Sequence, residues 1–517
     1  MNGAECLLRT LLANGVDTCF MNPGTSEMQF VSALDRVAGM RAVLCLFEGV
    51  CSGAADGYAR MTRRPAATLL HLGPGLANAL ANFHNARKAR SPVVSIVGQH
   101  STRHLRHDAP LTADIEALAR PVSSYVRTVE RAEETGREAS AAVGAACAAP
   151  GQVATLIVPA DFSWSEAGEP GARLPRASAP CPEPARIREA AAIVRSGAPV
   201  GLMLGGGALL ASAFAPAAQL RAAAGVRVFG DRYAARYEGG GGRVAPLRLP
   251  YFPEPAEAAM AGLKHLILVE SEPPVSFFGY PGRRSQLAPE DCAIHVLASA
   301  EENGAEALLA LARECGVVTA PPPPVRALKP EWPESGAGLT PDTIGRVLAH
   351  LLPDGAIVSE EAISSSEPIL RGLAAAAAHD LLPITGGAIG QGLPVAVGAA
   401  VACPDRKVIA LEADGSGLYT PQSLWTMARE RLDVVVVILA NRRYRILEIE
   451  TRRTGAGEIG PRANDMMDLT RPDVDWVKLS EGFGVEAVRA ATVSEFAGQF
   501  RAACGRRGPA LIEAAIE

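Results

Sequence analysis

The segment "VIALEADGSGLYTPQSLWTMARERLDVVVVILANRRYRILEIE", starting at Val408, holds two apolar runs that each stop on a small polar residue. The first stops at Asp414-Gly415-Ser416, the second at Asn441, 27 residues after Asp414. That interval fits one crossover helix, "TPQSLWTMARERL", and one strand. Open parallel sheets bind ligands beyond the carboxyl ends of their strands. Adjacent strands would therefore set the Asp414 carboxylate beside the Asn441 amide. Both offer hard oxygens, which suit Mg2+ in a shell completed by phosphate oxygens and water. Gly415 lets backbone approach a phosphate closely, and Ser416 adds a hydroxyl at the start of a helical segment. Taken alone, Asp-Gly-Ser reads more simply as a turn and helix cap. The matched Asn441 shifts that balance. So does "ITGGAIGQGLPVAVGAAVA" upstream, where Gly386, Gly387, Gly390 and Gly392 lead into a small-residue helix. Such a loop lets a flat or charged ligand lie against bare backbone.

The elements that must position these residues are short β-rich runs alternating with Ala/Leu-rich helical patterns. "RAVLCLF", "AATLLHL" and "PVVSIVG" read as buried strands early in the chain; "PVGLMLG", "VRVFG" and "KHLILVES" follow; "GAIVSEE", "KVIALEAD", "VVVVILAN" and "PALIEAAI" close it. Unbroken apolar strands separated by helices indicate parallel sheets covered on both faces. Two proline-rich stretches, Ser165 to Arg186 and Val318 to Gly338, cannot continue a helix or a central strand. The expected fold is α/β: three consecutive doubly wound parallel-sheet domains, at 1–165, 185–317 and 339–517. A chain of 517 residues has room for three at about 150 residues each.

Bulk composition excludes several classes of partner. The net charge of −5 gives no basic field for nucleic acid. No apolar run reaches the ~20 residues of a membrane span. The start, "MNGAECLLRTLLANGVD", lacks the pattern of a secretion signal. Ten scattered cysteines without metal-ligand spacing read as reduced thiols of a cytoplasmic protein.

"EADGSGLYTPQSLWTMARERLDVVVVILANRRY" resembles the diphosphate–magnesium motif of thiamine-diphosphate enzymes. "FMNPGTSEMQF", "FEGVCSGAADGYAR", "LLHLGPGLANALANFHNARKARSPVVSIVGQ" and "GGAIGQGLPVAVGAA" resemble the benzoylformate decarboxylase and acetolactate-synthase-like branch, in order along the chain. Ala413 and Ala440 depart from the motif's first Gly and first Asn. The resemblance implies thiamine diphosphate and Mg2+ as cofactors. It implies Asp414, the Asn441 side chain and the Arg443 backbone carbonyl as metal ligands, with Gly415 and Ser416 beside the diphosphate. Arg442 and Arg443 replace smaller residues; they either add charge near the diphosphate or point into solvent. The resemblance also makes Glu48 the glutamate that bonds the aminopyrimidine ring. The Gly387 carbonyl would accept from the 4′-amino group, and Ile389 would wedge the two cofactor rings into a V. Glu48 and Asp414 would meet only across the interface of a homodimer or homotetramer.

His71, in "LLHLGPG", and Thr25, in "NPGTSE", match residues that face the substrate. A second histidine that such decarboxylases carry has no counterpart in "PPVSFFGYPG", which offers Phe277, Phe278 and Tyr280 instead. The central domain resembles one that holds FAD in acetolactate synthases. Gly205 to Gly207 nevertheless read as a strand-to-helix turn, and FAD is not expected. The implied activity is decarboxylation of a 2-oxo acid, carboligation with an aldehyde acceptor, or both. Acetolactate synthesis and a non-catalytic cofactor-binding homologue are the alternatives.

Overall fold

The computed structural model describes residues 1–175, 178–243, 246–317 and 328–516. Parts of both proline-rich stretches, 176–177 and 318–327, lie outside the described residues. The first sheet comprises β1 (Thr18–Asn22), β2 (Arg41–Leu44), β3 (Ala66–Leu70), β4 (Val93–Gln99), β5 (Tyr125–Thr128) and β6 (Val153–Pro159). Their order is β2-β1-β3-β4-β6-β5, with every pairing parallel. The central segment supplies β7 (Val200–Leu204), β8 (Arg227–Gly230), β9 (Tyr237–Gly239), β10 (Leu247–Arg248), β11 (His265–Val269) and β12 (Ala293–Ala298). Five of these form a parallel sheet in the order β10-β8-β7-β11-β12. The last sheet adds β13 (Ala356–Glu361), β14 (His379–Pro383), β15 (Val408–Ala413), β16 (Val434–Ala440), β17 (Glu486–Ala490) and β18 (Ala510–Ala515). Its order is β17-β18-β16-β15-β13-β14-β9.

The expected architecture of three α/β layers is present, with one departure. β9 leaves the central segment and pairs antiparallel with β14. An exposed edge strand carries a row of unpaired amides and carbonyls, and β9 covers that row.

The strands nearest the proposed site are continuous apolar runs because both faces are covered. "VVVVILA" of β16 is buried along its whole length. Two helices join the first sheet to the last. Glu48–Thr62 and Gly392–Ala402 are rich in Gly and Ala and almost wholly buried. A Cβ at Gly398 would stand 1.9 Å from the Ala54 carbonyl oxygen, and one at Gly57 would stand 2.2 Å from that of Val395. Larger residues would push the helices apart. Among the described residues, no helix is long and apolar enough to cross a membrane. All ten cysteines are free.

Candidate active site

β15 and β16 are parallel neighbours, with Ala413 in register with Leu439. Asp414 and Asn441 consequently emerge side by side, as the 27-residue spacing predicts. The Asp414 carboxylate accepts from the Gly415 amide at 2.9 Å and from the Arg442 amide at 2.5 Å. Asn441 Oδ1 accepts from the Arg443 amide at 3.0 Å. Arg442, directly after Asn441, adopts a left-handed φ of 58°, which turns the chain so that its amide faces Asp414. Burial pushes the Asp414 carboxyl up to about 6, against the two amide bonds. A divalent cation would supply the opposing charge that burial withholds, so this oxygen set fits Mg2+.

The two arginines follow neither sequence reading in full. Arg442 pairs with Asp473, while Arg443 pairs with Glu448 and donates to Asn464 Oδ1 at 2.6 Å. Both are committed to neighbouring protein groups. Ser416 is buried and donates to the Ala413 carbonyl at 3.2 Å. Gly415 is needed for space: a Cβ there would stand 2.5 Å from the Tyr444 ring.

The glycine loop is clamped from two sides. Gly387 and Gly390 take φ of 77° and 86°, conformations suited to glycine. A Cβ at Gly387 would meet the Phe277 ring at 2.4 Å, so the central segment reaches the loop through Phe277. Ile389 is half-buried between these glycines. Glu361, at the end of β13, accepts from the amides of Gly390, Gln391 and Gly392 at 2.7, 2.8 and 2.5 Å. From the first sheet, Asn82 Nδ2 donates to the Gly390 carbonyl at 3.1 Å and Asn85 Nδ2 to that of Ala388 at 2.7 Å.

Glu48 is buried at the start of its helix. Asn22 donates to one of its oxygens at 3.2 Å and Asn78 to the other at 3.0 Å. His71 follows β3, and its Nδ1 lies 2.8 Å from Glu27 Oε2. Glu27 is buried, and burial raises its carboxyl above the usual range, against bonds from the Gly24 amide and His71. The Glu27 contact fixes the imidazole's orientation. Leu72, next in the chain, holds a left-handed φ of 53°, a strained turn that also aims His71. Thr25 is exposed and sits in the same short turn as Glu27.

Sequence reasoning missed Glu27, Glu361 and four asparagines, Asn22, Asn78, Asn82 and Asn85. Asn78, Asn82 and Asn85 recur at i, i+4 and i+7 on the helix Leu72–Ala89, a polar stripe along one face of an otherwise small and apolar helix. That spacing was the available signal.

Two strand-end clusters on separate sheets thus stand out, one pairing Asp414 with Asn441 and one built around Glu48. The N-terminal TPP-binding domain of thiamine pyrophosphate enzymes matches residues 1–118, and the C-terminal TPP-binding domain matches residues 375–514. A Mycobacterium tuberculosis protein provisionally named acetolactate synthase large subunit IlvX is 49% identical over 100% of this chain and 99% of its own. Benzoylformate decarboxylase of Pseudomonas aeruginosa is 30% identical, over 97% of this chain and 96% of its own. A thiamine diphosphate-dependent 4-hydroxybenzoylformate decarboxylase of Rhodococcus jostii RHA1 superposes with a TM-score of 0.86 at 26% identity, covering 100% of this chain and 99% of that one. The chain belongs to the thiamine pyrophosphate enzyme family.

Proposed function

We propose that the protein is a thiamine-diphosphate- and Mg2+-dependent enzyme that cleaves or forms carbon–carbon bonds on 2-oxo acids or acyloins. The supporting observation is the pairing of Asp414 with Asn441 at adjacent strand ends, beside a loop whose glycines carry left-handed backbone. In this reading 1–165 binds the pyrimidine, 185–317 is the central domain and 339–517 binds the diphosphate. Asp414, Asn441 and the Arg443 carbonyl would hold Mg2+, and Gly415 and Ser416 would flank the diphosphate. The Gly387 carbonyl and Ile389 would orient the rings. When bound, thiamine diphosphate supplies the carbanion chemistry.

The remaining steps belong to the protein. Glu48, held by Asn22 and Asn78, would be the carboxyl that bonds the aminopyrimidine ring of the cofactor and shares a proton with it. His71, oriented by Glu27, moves a proton at the substrate carbonyl oxygen, and Thr25 donates to the substrate carboxylate. Glu48 of one chain and Asp414 of a second complete one site, in a homodimer or a dimer of dimers. The Phe277 ring offers no proton, and the Tyr251 and Tyr280 hydroxyls near it are bonded to Glu450, which favours transfer to an aldehyde acceptor over release of free aldehyde.

A second reading, condensation of two pyruvate-derived units, draws on the relative named acetolactate synthase. A panel of 2-oxo acids, with and without aldehydes, distinguishes the two by product chromatography. Turnover of none of them sinks both. Glu48→Gln should keep the fold and bind cofactor while losing activity by about 10²–10⁴-fold. Full activity in that variant removes Glu48 from the mechanism.

A further inference from the structure

The central sheet ends in a glycine loop of its own, and a carboxylate already occupies it. Gly205-Gly206-Gly207 follows β7, and the helix Gly304–Glu314 begins after β12. Between these two, β11 ends at Val269 and Glu270 turns the chain with a left-handed φ of 52°. Glu270 Oε2 accepts from the Gly207 amide at 2.6 Å, and Oε1 accepts from the Gly304 amide at 2.6 Å. A Cβ at Gly206 would stand 2.0 Å from Oε2, and one at Gly304 would stand 2.5 Å from Oε1. The carboxylate therefore fills the space that side chains at these positions would need. Gly206 itself has a left-handed φ of 44°.

Amides from a glycine turn and from a helix N-terminus are the donors that a dinucleotide fold presents to a diphosphate. Here both are bonded to the two oxygens of one internal carboxylate. Room is not what is lacking. A cleft of about 1140 Å³ runs past Gly206, Gly207 and Glu270, and Arg63 and Arg90 also line it. Those arginines favour the Glu270 charge, which burial otherwise disfavours. An incoming diphosphate would have to strip both amides from Glu270 and leave that carboxylate half-buried without donors.

We infer that Glu270 is a built-in anion that keeps the phosphate-type site of the central sheet closed, so that a diphosphate-bearing dinucleotide such as FAD does not seat there. The inference stands apart from the reaction proposed above, because no residue of that site takes part in it.

The test uses holoprotein saturated with thiamine diphosphate and Mg2+, so that added nucleotide does not read out the catalytic site. Calorimetry with ADP and with FAD should detect no binding to the wild type. Glu270→Gly keeps a residue suited to φ of 52° and frees both amides. It should bind ADP in the millimolar range or tighter, with unchanged affinity for thiamine diphosphate. Stoichiometric binding of FAD or ADP by the wild type overturns the inference, as does a folded Glu270→Gly that binds ADP no better. Hydrogen exchange on the wild type gives an answer that does not depend on the variant folding. Added ADP should leave exchange in peptides spanning residues 205–209 and 303–307 unchanged; new protection there means that a ligand displaces Glu270.

Discussion

The central and last sheets both end in glycine loops whose amides are taken by a glutamate, but the last sheet adds an Asp–Asn pair on two adjacent strand ends. In the last sheet, Glu361 satisfies the amides of Gly390 to Gly392, and Asp414 and Asn441 emerge on two further strand ends. In the central sheet, Glu270 bonds Gly207 and Gly304, and among the described residues strand β8 is followed by Asp231, with no Asn at a neighbouring strand end. A glycine-rich loop shows where backbone is bare. The carboxylates around it show whether the bare backbone serves the protein or a ligand.

The largest effect that can break this contrast comes from Asp414→Ala. Without its carboxylate, the diphosphate loses the dication that offsets its charge, and Mg2+-dependent affinity for thiamine diphosphate should fall by roughly 100-fold or more. Glu270→Gly should leave that affinity unchanged. Equal losses in the two variants would mean that the sheets are not functionally distinct.

A smaller effect tests where the two sheets touch. Phe277 leaves the central segment and packs on Gly387, while Tyr251 and Tyr280 both donate to Glu450 Oε1, at 3.3 and 3.1 Å. Arg453 lies over the Phe252 and Tyr280 rings, 4.3 and 5.0 Å from their centroids. In the proposed reaction Phe277 puts a ring with no donor at this wall, and the nearby tyrosine hydroxyls are bonded to Glu450. Phe277→His should raise the ratio of free aldehyde to acyloin several-fold when an aldehyde acceptor is present. An unchanged ratio by chromatography would remove Phe277 from control of the product.

The layers and the Asp414–Asn441 pair were legible in the sequence because both follow from local pattern. Apolar runs such as "VVVVILAN" mark buried parallel strands, and one crossover fixes which strand ends become neighbours. β9 was not legible, because three residues carry no periodicity and their pairing with β14 depends on an edge that only the assembled sheet creates. The role of Glu27, within "FMNPGTSEMQF", was not legible, since it depends on His71, 44 residues away beyond the end of β3. Glu270 was hidden for a similar reason. Gly207 and Gly304 are far apart in sequence, and only the fold brings both amides to one carboxylate.

The smallest expected effect concerns how the last sheet holds Glu361. Burial pushes this carboxyl up to about 7, with Glu360 adding like-charge repulsion, while the three loop amides pull it down. Glu412 is fully buried close enough to repel it, and burial together with Glu361 raises its carboxyl well above the usual range. An acid whose folded value lies above its unfolded 4.5 keeps a proton in the native state that the unfolded chain has released. Stability from this group is therefore greatest below pH 4.5 and declines as pH rises through about 7. Thermal unfolding without cofactor should show Tm falling by a few degrees between pH 5 and pH 8. Glu361→Gln should flatten that slope. It should also lower Tm at every pH, because the amide turns a donor toward one of the three loop N–H groups. The slope, not the level, is the diagnostic quantity. Glu270 is raised in the same direction by burial, so Glu270→Gly should remove a further part of the slope with the same sign. A slope that survives intact in Glu361→Gln would show that the loop carboxylate stays ionised across this range, held by its three amides more strongly than burial and its neighbours oppose.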